Sequence, residues 1–274
     1  MEERKIKERE FHDKQRLVSD DVHVRDTRWS LEIEPTISNN PLWANMKYYS
    51  VERRSRDRVC SWLRENCGGK VVLDYCCGNG GDALFIASQC QSRVFGIDLS
   101  EVSIVNCQQI AHESGLSDKT TFLVRDAENT GFEDNTFDII TEYGALHHLD
   151  LDSAYAEMAR ILRPGGKAIC NETLGHNPLI HLYRRLTPRL RTEWEVNHIL
   201  RMKHINLAKK YFERVEADYY HLLVLAAVPL RKTRVFPKIL ALLERLDERI
   251  LNLPGIRLMA WQTVFVLSNP RGKA

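Results

Sequence analysis

VVLDYCCGNGG, residues 71–81, is the stretch of this 274-residue sequence that decides its fold. It begins with a short apolar run, which is typical of a central strand in a parallel sheet. Gly78, Gly80 and Gly81 follow, and glycines let a chain turn sharply and approach a ligand closely because they have no Cβ. The next residues, DALFIASQC, predict a helix whose first N–H groups point at that ligand. The stretch therefore predicts the nucleotide-binding turn of a Rossmann-like α/β fold.

Two acidic residues indicate which nucleotide this turn binds. Asp98 ends a second predicted strand, RVFGIDLS, where a carboxylate can accept hydrogen bonds from both hydroxyls of a ribose. Asp74 stands immediately before the glycines, where it would repel a pyrophosphate but suit an ammonium or a sulfonium. Ala83 replaces the third glycine of the dinucleotide pattern, which is an allowed variant. The combination favours S-adenosylmethionine (SAM) over a dinucleotide such as NAD.

Four motifs in order resemble those of class I SAM-dependent methyltransferases that act on small molecules. They are the acidic residue with its spaced glycines, the acid at the end of strand two, the stretch VRDAENTGFEDNTFDIITEYGAL (124–146) and the turn ILRPGGKAI (161–169). Together they cover roughly residues 69–172 at normal spacing. The resemblance implies a Rossmann-like, doubly wound sheet of seven strands with the last strand antiparallel, and SAM as the cofactor.

The resemblance also assigns residues to the cofactor. Asp98 matches the ribose-binding acid, and Asp126 and Ala127 occupy the positions that usually hold the adenine. Cys76 departs from the family, which usually has glycine there, but its thiol is small and we expect the SAM pocket to be retained. The tip of strand four is expected to line the methionine end of SAM or the acceptor pocket. The predicted cofactor-binding residues are Asp74, Cys76, Gly78, Gly80, Asp98, Leu99, Asp126, Ala127, Glu142 and Tyr143.

The composition excludes several classes of protein. The formal net charge is +2, which is too small to indicate a nucleic acid or an anionic membrane as partner. Seven cysteines without a C-x-x-C pair argue against a disulfide framework or a zinc site, and we predict no metal. The N-terminal MEERKIKEREF is too charged for a signal peptide, and no apolar run approaches the length of a membrane span. We therefore expect a cytoplasmic protein.

Four segments are expected along the chain. Residues 1–66 predict a helical and loop extension over the cofactor site, residues 67–173 the Rossmann core, residues 174–202 a cap over the active site, and residues 203–274 the rest of the sheet. Within this last segment, residues 222–257 form an apolar helical insertion between strand six and the last strand.

The N-terminal extension has three predicted parts. The first 15 or so residues indicate a solvent-exposed helix, Asp20 to Pro41 a loop, and Asn45 to Asn66 a helix. Tyr48 and Tyr49 lie in this last helix. They contact the substrate or SAM, or they pack in the core, and the sequence leaves both interpretations open.

The cap and the insertion bear on the substrate. Asn177 and Arg184 in the cap are candidate substrate-binding residues, although arginine runs are more often a solvated helix face. Strand six is predicted at 215–223 and the last strand at 258–269. The residues between them must bury an apolar face against the cap, against a second subunit in a homodimer through 222–251, or against a lipophilic substrate at a membrane surface. The predicted apolar face comprises Phe236, Ile239, Leu240, Leu243, Leu246 and Ile250.

Histidines at the carboxyl ends of the strands supply a candidate base. An oxygen nucleophile must lose its proton, and histidine suits that task because its pKa lies near neutrality. His147 and His148 follow strand four, where this fold places the substrate. Glu172, at the end of strand five, could orient a substrate hydroxyl or a catalytic histidine, and His176 is an alternative base. The alternative is that the histidines pack and cap at a strand-to-helix turn, with Asp150 or Asp152 at the start of that helix.

The leading hypothesis is a SAM-dependent O-methyltransferase of a small lipophilic or lipid-linked metabolite, such as a quinone, phenol, polyketide or sugar of secondary metabolism. Oxygen is preferred over nitrogen because the histidines offer a base and because GALHH stands where an N-P-P-[YFW] signature would mark N-methylation. The alternatives are a C-methyltransferase, a non-catalytic partner subunit with a degenerate SAM site, and an NAD-linked oxidoreductase.

Overall fold

A seven-stranded sheet forms the centre of the molecule. The computed structural model describes residues 2–17, 41–190, 192, 194–195 and 198–272. The strand order is β3-β2-β1-β4-β5-β7-β6, with β1 to β5 parallel and β7 antiparallel to both β5 and β6. This topology confirms the predicted fold class. The strands are β1 Val71–Tyr75, β2 Arg93–Asp98, β3 Thr120–Val124, β4 Phe137–Tyr143, β5 Leu162–Thr173, β6 Phe212–Tyr220 and β7 Gln262–Pro270.

Eight α-helices are present in the described part of the chain, together with shorter 3₁₀ segments. The α-helices are α1 Glu3–Leu17, α2 Arg53–Asn66, α3 Gly81–Gln89, α4 Glu101–Glu113, α5 Leu151–Ile161, α6 Pro178–Leu186, α7 Met202–Leu207 and α8 Phe236–Ile250. The 3₁₀ segments are Pro41–Val51, Leu146–His148, Pro188–Leu190, Ala208–Lys210, Leu223–Leu230 and Ile256–Met259.

Side-chain caps fix where three of the helices begin. The Ser100 hydroxyl accepts from the backbone N–H of Ser103 at 3.1 Å, and Asp150 and Asn177 cap α5 and α6 in the same manner. Such caps satisfy N–H groups that have no partner within the helix. Each capped helix follows the end of a strand or its loop, so the caps position the helix N-termini along one edge of the sheet.

The core lies on both faces of the sheet. Leu73 and Ile140 belong to one buried cluster and Val72 and Ile139 to another, so neighbouring strand residues point to opposite layers. This arrangement explains why the central strands are continuous apolar runs rather than alternating ones.

Two predictions for the N-terminal extension are wrong. The predicted exposed helix exists as α1, but Lys5 and Glu8 are buried, with 8% and 5% of their surfaces exposed. One side of α1 therefore packs on the molecule. The single helix predicted for 45–66 is divided at Glu52, whose buried carboxyl accepts hydrogen bonds from Tyr143 and Gln262. Nearly all of the loop predicted for 20–41 lies outside the described residues.

The C-terminal elements also differ from the prediction in position. Strand β6 begins and ends three residues earlier than predicted, and β7 begins at Gln262 rather than at 258. The chain between them buries its apolar side against the 3₁₀ segment Pro41–Val51, and Arg53 pairs with Glu244 of α8. Leu246, predicted on the buried face, is 37% exposed. The buried apolar residues between the insertion and this 3₁₀ segment are Val51, Val224, Ala227, Val228, Phe236 and Leu240.

Gly96 in β2 provides a test of the core. A Cβ at this position would lie 2.6 Å from Cδ1 of the buried Phe122 ring and 3.1 Å from the Cys77 sulfur. We expect Gly96→Ala to lower the free energy of unfolding by about 1–3 kcal/mol, because the ring must leave its packed position. Urea unfolding followed by circular dichroism measures the change. Gly68→Ala is the matched control, since its nearest contact would be an ordinary 4.0 Å, and equal stability of both variants would contradict the packing seen here.

Candidate cofactor and acceptor site

A cavity of about 930 Å³ opens at the carboxyl ends of the central strands. Its walls come from α1, the 3₁₀ segment Pro41–Val51, the strand tips, α6 and the start of the insertion. Small-molecule sites typically measure roughly 300–1,000 Å³, so this cavity lies at the upper end of that range. Its size suits a cofactor and an acceptor side by side.

Asp98 is fixed over the glycine-rich turn. One carboxylate oxygen accepts from the N–H of Gly78 at 2.9 Å and the other from the N–H of Ser100 at 2.9 Å. Gly78 and Gly80 both have positive φ angles, of 53° and 77°, which explains the requirement for glycine. The carboxylate thus faces the cavity with its backbone contacts already made.

Cys76 has a left-handed backbone, with φ of 61°. The family usually has glycine there, and this conformation gives the physical reason, because a Cβ makes it unfavourable. Burial, together with the nearby Asp98 carboxylate, raises the pKa of the Cys76 thiol well above its usual value. The thiol is therefore uncharged and lines the cavity as a small apolar group.

Asp74 has a structural contact that the sequence did not predict. Its carboxyl accepts from the N–H of Ala83 at 2.9 Å and so holds the first turn of α3. Burial and the neighbouring Asp82 raise the pKa of Asp74 well above its usual value. Asp82 pairs in turn with the buried Arg56 at 2.9 Å. Asp74 also lines the cavity, and its contact with a sulfonium stays a prediction.

Helix α1 presents two cations to the predicted cofactor acids. The Lys5 ammonium lies 2.7 Å from Asp126 and 2.7 Å from Glu128, and an Arg16 guanidinium nitrogen lies 3.7 Å from an Asp98 oxygen. These pairs place α1 across the nucleotide end of the cavity. The sequence analysis missed this role, although the Glu8 and His12 spacing of four residues marks one face of the helix.

The structure brings most of the predicted site residues together. Asp74, Cys76, Gly78, Asp98, Leu99, Asp126, Ala127, Tyr143, His147, His148, Tyr48, Tyr49, Asn177 and Arg184 line the cavity. Gly80, Glu142, Glu172 and His176 are outside that lining.

His147 and Glu172 form a buried dyad. Nδ1 of His147 lies 2.8 Å from one Glu172 oxygen, and the other oxygen accepts from the N–H of Leu146 at 2.6 Å. Burial alone would raise the pKa of Glu172, but His147 and the other hydrogen-bond partners outweigh it and lower that pKa. The ionised carboxylate can only accept, so Nδ1 of His147 donates to it, and Nε2 lies 4.0 Å from an oxygen of Glu195.

His148 pairs with a residue that the sequence analysis did not consider. Its Nδ1 lies 2.9 Å from Glu8 of α1, and its ring centroid lies 4.2 Å from that of His147. Burial opposes a charge on His148, but Glu8, Glu195 and the other carboxylates outweigh it and raise the pKa of His148. These carboxylates therefore favour a positive charge on His148, which is held between α1 and the loop after β4.

Two predicted site residues accept hydrogen bonds from backbone N–H groups and do not line the cavity. Glu142 accepts from the N–H groups of Ala145 and Leu146, and burial beside Glu172 raises the pKa of Glu142 well above its usual value. Nε2 of His176 accepts from the N–H of Met202 at 3.1 Å, which orders the chain after the cap. The geometry therefore does not bring His176 to the other candidate catalytic residues.

The acceptor end of the cavity is largely aromatic. Tyr48 packs edge-on against Tyr183 with ring centroids 5.4 Å apart and lies 5.9 Å from Trp261. Arg184 is buried and its Nη1 lies 3.3 Å from Glu195, so it is neutralised within the cap. Asn177 caps α6 and donates to the carbonyl of Met259 at 2.9 Å.

Two polar groups in this wall have unusual environments. The buried Asn171 amide has no hydrogen-bond partner for either its oxygen or its nitrogen among the described residues. Such groups are rare because their desolvation is uncompensated, and in a cavity they are available to a ligand. Burial raises the pKa of Glu52 to about 7. Both residues were missed by the sequence analysis, and only tertiary burial distinguishes them.

The prediction of no metal site stays a prediction. The ligand atoms of Glu8, His12 and His148 lie within 4.8 Å of one another, as do those of His147, His148 and Glu195. In the described residues, both histidines after β4 already hydrogen-bond a carboxylate at 2.8 and 2.9 Å.

Known proteins of similar sequence are methyltransferases. A family model for a methyltransferase domain matches residues 72–166. The chain is 31% identical over 122 residues to 27-O-demethylrifamycin SV methyltransferase of Amycolatopsis mediterranei, covering 44% of each chain. It is 36% identical over 109 residues to sterol 24-C-methyltransferase ERG6B of Gibberella zeae, covering 38% of this chain and 29% of that protein. The matched segment thus spans less than half of either relative.

A solved structure of similar fold is geranyl diphosphate C-methyltransferase from Streptomyces coelicolor in complex with Mg²⁺, geranyl-S-thiolodiphosphate and S-adenosylhomocysteine. The TM-score is 0.56 with 14% sequence identity, covering 96% of this chain and 98% of that one. At this identity the likeness shows the fold alone.

The seven-stranded fold, the glycine-rich turn and the acids at the strand tips are those of a class I SAM-dependent methyltransferase domain. Residues 72–166 match the methyltransferase domain model, and these similarities support SAM as the cofactor of this domain. No helix among the described residues combines the length and apolar character needed to cross a bilayer.

The ribose assignment of Asp98 can be tested by binding. We expect Asp98→Ala to weaken S-adenosylhomocysteine binding more than tenfold, because a charge-assisted hydrogen bond contributes about 1.5–3 kcal/mol. Calorimetric titration gives the dissociation constant, and Asp118→Ala, an exposed acid before β3, is the control. Unchanged affinity in Asp98→Ala would remove Asp98 from the cofactor site.

The ion pair between Glu8 and His148 is expected to make a pH-dependent contribution to the free energy of unfolding. Its contribution falls as pH rises through the raised pKa of His148 and also as pH falls through the lowered pKa of Glu8. We expect Glu8→Gln to destabilise the protein by about 1.5–3 kcal/mol, most strongly between about pH 4.5 and 6.5, the ordinary pKa values of the two groups.

Urea unfolding at several pH values measures this difference. Glu10→Gln is the matched control, because Glu10 is exposed on the same helix. Histidines and carboxylates that face His148, namely His12, His147, Glu172 and Glu195, are unchanged in both variants. A loss of stability that is the same at every pH would show that Glu8 acts through packing alone.

Proposed function

We propose that this protein transfers the methyl group of SAM to an oxygen of a small lipophilic acceptor, with His147 as the general base. The His147–Glu172 dyad carries this proposal, because Glu172 binds Nδ1 of a histidine that lines the cavity, which leaves Nε2 as the ring nitrogen for the acceptor proton. SAM, when bound, supplies the activated methyl group and its leaving group. The protein residues then bind the two reactants, align them and take up the acceptor proton.

The residues fit SAM at the nucleotide end. Asp98 offers its carboxylate at the glycine-rich turn, and Asp126 and Ala127 line the cavity beyond it. Lys5 and Arg16 would have to share or release these acids when the nucleotide binds, so α1 is expected to adjust. The uncharged Cys76 leaves the turn open for the amino acid part of SAM.

His147 is preferred over His148 as the base. Glu172 accepts from Nδ1 of His147, so Nε2 is the ring nitrogen that remains for the acceptor, with a Glu195 oxygen 4.0 Å away. The raised pKa of His148 favours its protonated form, which cannot accept a proton. It is better suited to stabilise negative charge that develops on the acceptor oxygen.

The acceptor end favours a lipophilic molecule with few polar groups. Tyr48, Tyr183 and Trp261 supply apolar area, and the unpaired Asn171 amide offers both a donor and an acceptor to a hydroxyl or carbonyl. Two sequence relatives are named as methyltransferases of a rifamycin and of a sterol. We propose a lipophilic acceptor, such as a hydroquinone, a phenol or a lipid-linked sugar.

C-methylation is the second candidate function. One relative is named a sterol 24-C-methyltransferase, and the same dyad could take a proton from an activated ring carbon. NMR of the product, made with a ¹³C-labelled methyl donor, distinguishes the two by the chemical shift of the new methyl group.

The base assignment gives a kinetic prediction. We expect His147→Ala to lower turnover by about 10²–10⁴-fold while S-adenosylhomocysteine affinity stays nearly unchanged. Glu172→Gln keeps the shape of the side chain but removes its charge, and its turnover should fall as well. Formation of S-adenosylhomocysteine with hydroquinone, phenol and lipid-linked sugar acceptors provides the assay.

His112→Ala serves as the control, because His112 is exposed on α4 and far from the strand tips in sequence. Full turnover in His147→Ala would contradict its role, and His148 would then be tested next. Binding of S-adenosylhomocysteine without turnover on any acceptor class would favour the non-catalytic partner subunit.

A further inference from the structure

The exposed large apolar side chains among the described residues are concentrated in two segments of the chain, α6 and the insertion. Among the described residues, eleven large apolar side chains are exposed, and nine of them lie in α6 or in the insertion. We call these nine the rim leucines, since seven are leucines. They are Leu179, Leu182, Leu186, Leu223, Val235, Leu242, Leu246, Leu253 and Ile256.

Helix α6 carries an outward stripe. Leu179, Leu182 and Leu186 are spaced by three and four residues, so they share one face, and they are 71%, 54% and 72% exposed. The other side holds the buried Arg184 and the Tyr183 ring that packs on Tyr48. The helix is therefore attached by one face and presents its leucines to the outside.

Helix α8 combines apolar and basic residues on its outer face. At 100° per residue, Leu242 lies beside Lys238, Arg245 and Arg249, opposite the buried Phe236 and Leu240. All four outer residues are exposed. This composition is typical of helices that lie in the interface of a membrane.

The acidic residues of α8 do not neutralise this face. Glu244 pairs with Arg53 and Glu248 with Arg54, while the Asp247 carboxylate accepts from the backbone N–H groups of residues 222–224. Basic side chains are therefore in local excess on the outer surface. The net charge of +2 conceals this excess because it averages over the whole chain.

The rim leucines reach the mouth of the cavity. Leu179 of α6 and Leu223 of the insertion both line the cavity and are exposed, by 71% and 36%. The rim leucines and the cavity therefore share two side chains, one from each segment.

We propose that α6 and the outer face of α8 dock on an anionic lipid bilayer, and that the acceptor enters the cavity from that bilayer. The leucines would enter the acyl boundary while the arginines and lysines contact anionic headgroups. The second part rests on the proposed function, since it concerns the acceptor. The docking itself does not depend on methyl transfer.

Sedimentation with vesicles tests the docking without SAM or acceptor. The purified full chain is mixed with vesicles of phosphatidylcholine alone, or of phosphatidylcholine with about one third phosphatidylglycerol. We expect binding to the anionic vesicles that weakens as salt is raised, because the headgroup attraction is screened. The double variant L182E/L186E should bind at least about tenfold more weakly, because two leucines that would enter the bilayer are replaced by carboxylates.

Val105→Glu is the matched control. Val105 is one of the two exposed apolar residues outside the rim, on α4, and its variant should bind as the unchanged protein does. No binding to anionic vesicles by a folded protein would overturn the proposal. Formation of a dimer that L182E/L186E abolishes, without vesicle binding, would also overturn it and assign the surface to a second copy of the chain.

A methyl-transfer assay with a water-soluble acceptor distinguishes a failure of the docking proposal from a failure of the proposed function. L182E/L186E should keep that activity, because neither leucine lines the cavity. Loss of vesicle binding with retained transfer supports the docking, while absent transfer in the unchanged protein bears on the function alone.

Discussion

The candidate site depends on the hydrogen bonds that the buried Glu172 carboxylate accepts from the loop after β4. The carboxylate lies at the end of β5, away from water, and its two oxygens hold the backbone of Leu146 and the ring of His147. A buried charge requires such partners, because its desolvation is otherwise uncompensated. The loop after β4 is therefore fixed by the strand next to it, and the orientation of the candidate base follows.

Two walls of the cavity come from parts of the chain that lie far apart in sequence. Helix α1 crosses the nucleotide end through Lys5 and Arg16 and contacts His148 through Glu8. The 3₁₀ segment Pro41–Val51 and α6 enclose the acceptor end through Tyr48 and Tyr183. Helix α1 therefore contacts both the predicted cofactor acids and a candidate catalytic residue.

Local sequence patterns were sufficient to predict the Rossmann core, but they were insufficient to predict how α1 and α8 pack around it. The apolar run, the glycines and Asp98 are adjacent in sequence, and the turn that they form follows from backbone sterics alone. Helix α1 has a highly charged sequence, and nothing within it indicates that Lys5 and Glu8 are buried. The same holds for Leu246, which fits a helical apolar stripe but is 37% exposed.

The sequence by itself determined the fold class, with its seven strands and antiparallel last strand, and the cofactor. These depend on short-range spacing and on the edge of the sheet where parallel strands end. Only the tertiary structure showed that His147 meets Glu172, that His148 meets Glu8 and that His176 accepts from the backbone of Met202, because these partners lie far away in sequence. Glu172 is 25 residues from His147, and Glu8 is 140 residues from His148, so no local pattern could pair them.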